Sequence, residues 1–97
     1  MTRLGDDVAG GFAVGQTSVG TTAVTLVGTP TKATRGVQLK AATGNTADVY
    51  VGPDSSVTST TGFALAAGEG LLVKIDDAVK VYLISTAEGQ SVEYMVV

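Results

Sequence analysis

The sequence predicts an all-β protein, a two-sheet antiparallel sandwich of about eight strands preceded by an N-terminal arm. Three observations carry that prediction. Apolar residues recur at every second position in short runs. The runs are cut by turns built on Gly, Pro, Asp and Asn. At 97 residues the chain has room for one core and no more.

The elements follow in order. Residues 1–11 hold Leu4 and Val8 among Gly5, Asp6, Asp7, Gly10 and Gly11, with no sustained period, and read as an arm. The sandwich domain is expected over residues 12–97. Phe12 and Val14 share one parity, and Val24 and Leu26 share a face with Thr25 opposite. Val37, Leu39 and Ala41 alternate with Gln38 and Lys40; Val49 and Val51 flank Tyr50. Leu71, Val73 and Ile75 alternate with Leu72 and Lys74. Val79, Val81 and Leu83 alternate with Lys80, Tyr82 and Ile84, and Val92, Tyr94 and Val96 with Glu93, Met95 and Val97. These last two runs are expected to form a closing hairpin. Successive strand side chains point to opposite faces, so each set lines one surface. Leu39 is expected in the core.

The breaks are Gly28-Thr29-Pro30, Thr43-Gly44-Asn45, Gly52-Pro53-Asp54, Thr61-Gly62, Gly68-Glu69-Gly70, Asp76-Asp77 and Glu88-Gly89-Gln90. Gly supplies positive φ, Pro fixes φ, and Asp and Asn bond their own backbone. Short strands at this spacing suggest a sandwich or barrel, here jelly-roll-like. Phe63–Ala67 has the composition of a helical turn but is too short to stand alone. The Ser/Thr-rich segment Val57–Thr61 reads as a loop or a weak edge strand.

Composition removes several function classes. There is no His, Cys or Trp, so Ser-His-Asp and thiol chemistry have no residues to run on. No disulfide staple is possible. The formal charge is -3 and the six cations are scattered, which disfavours direct nucleic-acid binding. The opening residues carry no apolar signal region, and no apolar run approaches membrane-spanning length. Synthesis in a cytoplasm, with no membrane partner, is the expectation. Charged residues are only 15% of the chain, against about 25% in typical soluble domains. Either partners cover much of the surface, or Thr and Gly solvate it.

Three motifs admit a chemical reading and a plainer one. Gly68-Glu69-Gly70 resembles a fragment of a phosphate loop but lacks the Gly-Lys-Ser/Thr ending; a tight turn is the plainer reading. Asp76-Asp77 with Asp48 or Asp54 offers oxygens to a hard cation, without calcium-loop spacing, and reads as a solvated turn. Glu69, Glu88 and Glu93 offer carboxylates for glycoside hydrolysis, but aromatics are 5% of the chain and Trp is absent. No catalytic, cofactor or metal site is expected, and the chain is expected not to be an enzyme.

The sharpest signal is apolar residues on the polar side of strands. After Lys80 that side carries Tyr82 and Ile84; after Glu93 it carries Met95 and Val97; Leu72 repeats the pattern. Strands apolar on both faces are usually covered on both. In so small a sandwich, the arm folding back or a neighbouring subunit would have to cover them. Burying each would contribute about 1.5–3 kcal/mol. The expected interface is therefore Leu4, Val8, Phe12, Leu72, Tyr82, Ile84, Met95 and Val97, in a two-fold or three-fold contact.

One ordered set of residues carries a family resemblance. Arg35-Gly36-Val37-Gln38-Leu39 leads to Asn45, then Val49-Tyr50-Val51-Gly52. Thr61-Gly62-Phe63-Ala64-Leu65 and Ala67-Gly68-Glu69 follow, then Val81-Tyr82-Leu83-Ile84-Ser85 and Gly89-Gln90-Ser91-Val92-Glu93. Over roughly residues 14–97 this resembles the small β-sandwich head decoration, or cement, proteins of tailed bacteriophages. The resemblance implies a structural virion protein on the capsid exterior. It implies a homotrimer that clamps neighbouring units of the major capsid protein, with no cofactor. Its turn glycines, Gly52, Gly62 and Gly68, are structural positions. The alternative expectation is a host-receptor or carbohydrate-binding module on a head fibre or tail part, using loop residues and Tyr50 or Tyr82.

Overall fold

The computed structural model describes residues 12–97, so the expected arm, with Leu4 and Val8, lies outside the described residues. Eight strands follow in order: β1 Ala13–Val19, β2 Val24–Thr25, β3 Val37–Ala41, β4 Val49–Gly52, β5 Phe63–Leu65, β6 Gly70–Val73, β7 Tyr82–Ser85 and β8 Gln90–Val96. They form two four-stranded antiparallel sheets, ordered β1-β8-β3-β6 and β2-β7-β4-β5.

The pairing has a simple rule. β1 pairs with β8, β2 with β7, β3 with β6 and β4 with β5. The chain is thus a long antiparallel ribbon folded at its middle and rolled up, and the roll is closed by β3–β8 and β4–β7. This is the jelly roll, two sheets packed face to face around one core. Edge pairs of the ribbon fall alternately in one sheet and the other.

Period-two alternation places the core. Val37, Leu39 and Ala41 of β3, Val49 and Val51 of β4, Leu83 of β7, and Val92 and Val96 of β8 all point between the sheets and are buried. Leu39 is 0% exposed, as its alternation requires. Leu26, beyond the end of β2, joins them and is tied by its N–H to the Val81 carbonyl at 2.8 Å. Thr17 of β1 donates its hydroxyl to the Leu26 carbonyl at 2.5 Å, a bond from one sheet's edge to the other's.

Three local expectations change. Phe63–Leu65 is a strand, not a helical turn, because β4 offers a complete ladder partner (Val49 opposite Leu65, Val51 opposite Phe63). The run from Val79 is not all strand. Asp77 caps a 3-10 turn over Ala78–Lys80, and β7 starts at Tyr82. The Asp77 carboxylate takes the N–H groups of both Thr31 and Val79, which holds that turn in place. Finally, β7 and β8 do not form a hairpin. They lie in different sheets, because the connection between them crosses from one sheet to the other.

The segment after Gly52 is a loop that inserts Val57 into the fold, 4% exposed. A Cβ on Gly52 would lie 2.4 Å from a Val57 methyl, and one on Gly62 would lie 2.9 Å from it. Both glycines are therefore spaces for Val57. At the far end of β8, the Val97 carbonyl accepts N–H bonds from Thr34, Arg35 and Gly36. Gly36 sits at φ 145, with a Val73 carbonyl where a Cβ would fall, so no other residue fits there.

Candidate functional site

Two outer faces are available, one on each sheet. On the β1-β8-β3-β6 sheet, the register aligns Val14, Met95, Gln38 and Leu72 in one row across all four strands. The next row is Gln16, Glu93, Lys40 and Gly70. Val14 is 68% exposed, Leu72 47%, and Phe12, one step before β1, 63%. Met95 and Val97 are half-buried. Between the two rows lies an open depression of about 460 Å³, floored by β1, β8 and β3 and bordered by Glu93 and Lys40. This face is apolar in its first row except at Gln38, and carries one charge of each sign in its second.

The outer face of the β2-β7-β4-β5 sheet differs. Tyr50 stands between Ile84 and Ala64, and Tyr82 between Thr25 and Gly52. Tyr50, Tyr82 and Ile84 are all half-buried. Tyr50 is also packed against Gly62, whose absent side chain leaves room for it. Much of the apolar area on this face is thus shielded by its own neighbours.

The predicted interface residues are therefore not one surface. Phe12, Leu72, Met95 and Val97 belong with one sheet, and Tyr82 and Ile84 face away on the other. The cause is the crossing between β7 and β8, which parity within a strand cannot reveal. Two exposed residues were missed. Val14 shares the parity of Phe12 and was legible from it. Phe63, 60% exposed, has core parity beside Leu65, but it ends an edge strand where no opposite sheet covers it.

Glu93 borders the depression described above, whereas Glu69, Glu88, Asp54, Asp76 and Asp77 are occupied structurally. The Glu69 carboxylate accepts the Ala66 N–H at 2.8 Å and closes its turn. Glu88 accepts both the hydroxyl and the N–H of Thr21, at 2.6 and 2.9 Å, and these bonds hold its carboxyl below the ordinary value. Asp54 is lowered in the same way by the hydroxyl and N–H of Ser56. Asp76 is lowered by its hydrogen bond and charge pairing with Lys80, 2.8 Å away, and Lys80 is raised by the same contact. Among the described residues, no three metal-ligating side chains gather at one point.

The buried polar groups are clamps as well. Gln90, 3% exposed, accepts the N–H groups of Thr46 and Ala47 and donates to the Glu88 carbonyl and the Thr46 hydroxyl. Asn45 both donates to and accepts from the Ser91 backbone, at 2.9 Å each way, extending the β3–β8 ladder by one side-chain rung. Ser85 donates to the Asp48 carbonyl at 2.7 Å. Asn45, Gln90 and Ser91 are among the residues that carry the family resemblance, and their work is to pin one loop to one strand. No family model, curated protein or solved structure matches the chain.

Proposed function

We propose that the chain is a non-enzymatic virion protein that attaches to the exterior of a tailed-phage capsid as a homo-oligomer and stiffens the shell. The carrying observation is the cluster of Phe12, Val14 and Met95 with Leu72 beyond Gln38, exposed except for the half-buried Met95, on the outer face of a four-stranded sheet. Open apolar patches flanked by polar groups are typical of protein contact sites. The reading is supported further by an architecture shared with viral capsid domains, and by the engagement of the Glu69, Glu88 and Asp76 carboxylates in local turn contacts.

The mechanism is additive. Each copy buries a modest apolar patch against the major capsid protein, and several linked copies attach with avidity greater than one contact supplies. Residues 1–11 add further contacts to the partner. Such a protein is made in the host cytoplasm and ends on the shell. Incubating purified protein with shells stripped of it, then counting bound copies, tests this. Saturable binding at a fixed copy number supports it. Glycan-array binding without shell binding would instead favour a receptor module using Tyr50 and Tyr82, which share one outer face on adjacent strands.

A further inference from the structure

We propose that β1 is a pairing edge for β1 of a second copy of this chain, joining two β1-β8-β3-β6 sheets across a two-fold axis. The self-association within the proposed function is thereby assigned to a strand edge, and the inference rests on that reading only for its biological setting.

The four sheet edges are not alike. β2 has two residues and β5 three, too short to template a partner. β6 has four residues and is flanked by Glu69 and Lys74, charges of the kind that blunt an edge. β1 has seven residues, Ala13–Val19, with no charge, no Pro and a regular register against β8 from end to end. Among the described residues, no strand pairs with its other side. Among the described residues it is the one long edge without a protective device.

The chemistry of β1 suits its own copy. An isologous antiparallel contact brings each side chain near the same side chain, or near one a few places away, in the partner. Any charge would then meet its like. β1 offers Val14, Gln16 and Ser18 on its outer side, none of them charged. A two-fold near Gln16 sets amide against amide. Each Val14 then lies across from Ser18 of the second copy, so the seam joins uncharged side chains along its whole length. Where the resemblance implies a trimer, this pairing gives an even-numbered assembly.

The test uses the full chain, which has no cysteine of its own. Sedimentation equilibrium should give a dimer, and Gln16→Lys should weaken it about tenfold or more, since like charges at a contact repel. Gln16→Cys, on the axis, should give a disulfide-linked dimer under mild oxidation, as should the double variant Val14→Cys/Ser18→Cys; Val14→Cys alone and Lys74→Cys at the opposite edge should not. Circular dichroism and melting verify that each variant is folded. A full-length monomer at all concentrations overturns the pairing. So does a dimer indifferent to Gln16→Lys and linked through Leu72→Cys, which would make the face the self-contact. A monomer that dimerises only after removal of residues 1–11 overturns it too, since the edge would then be covered within one chain. In every case shell binding, scored separately, reports on the proposed function.

Discussion

The two outer faces of the sandwich carry similar apolar content in the sequence and meet different fates in the fold. On the β2-β7-β4-β5 sheet, Tyr50, Tyr82 and Ile84 lie among one another, Ala64 and the Gly62 turn, and all are half-buried. On the β1-β8-β3-β6 sheet, Val14, Leu72 and Phe12 stay open, beside a row containing Glu93 and Lys40. An apolar residue on the outward parity of a strand is therefore not evidence of a partner by itself. What matters is whether its cross-strand neighbours are large enough to cover it.

That contrast can be broken by substitution, starting from the interior both faces share. Leu39→Ala should cost about 2–5 kcal/mol, because it leaves a cavity between the sheets. Chemical denaturation measures this, and an unmoved midpoint would remove Leu39 from the core. Gln90→Ala should cost about 1–3 kcal/mol by stranding the N–H groups it accepts from Thr46 and Ala47. The loss should appear as faster amide exchange in the 43–48 loop.

The faces themselves should then separate. Ile84→Ala should cost about 1–2 kcal/mol, since roughly half its transfer energy is realised within the chain. Leu72→Ala should stay within about 0.5 kcal/mol of the parent. Equal costs at the two positions would mean that the faces are not different in kind.

Acid should have the smallest effect and should spare both faces. The carboxyls of Asp54, Asp76 and Glu88 are held low in the folded chain by Ser56, Lys80 and Thr21. A lowered folded value stabilises above the unfolded value and is lost as pH falls through the folded one. Melting temperature should thus be flat from about pH 8 to 5 and fall only below about pH 4.5. All three groups are exposed, so the fall should be shallow, and Thr21→Val should flatten it further. A transition near pH 6 would contradict the assignment, since the chain contains no His.

Much of the sandwich was legible in the sequence because period-two alternation and turn chemistry are local. The core positions of β3, β4 and β8 could be read directly, and Leu39 with them. The rolled ribbon could not, since which sheet takes a strand depends on pairings such as Ala13 with Val96, far apart in the chain. For that reason Tyr82 and Ile84 were grouped with Met95, although they face opposite ways. Phe63 escaped notice because its parity is that of a core residue and only its place at an edge exposes it. The role of Gln90 was invisible for a similar reason: it depends on a loop 43 residues away.

The most direct test of the central claim is the binding of Val14→Asp/Leu72→Asp protein to stripped capsid shells, compared with the parent chain. Both sites are open, so the variant should melt like the parent yet lose shell attachment. Undiminished attachment by the folded variant would contradict the claim that this face is where the partner docks.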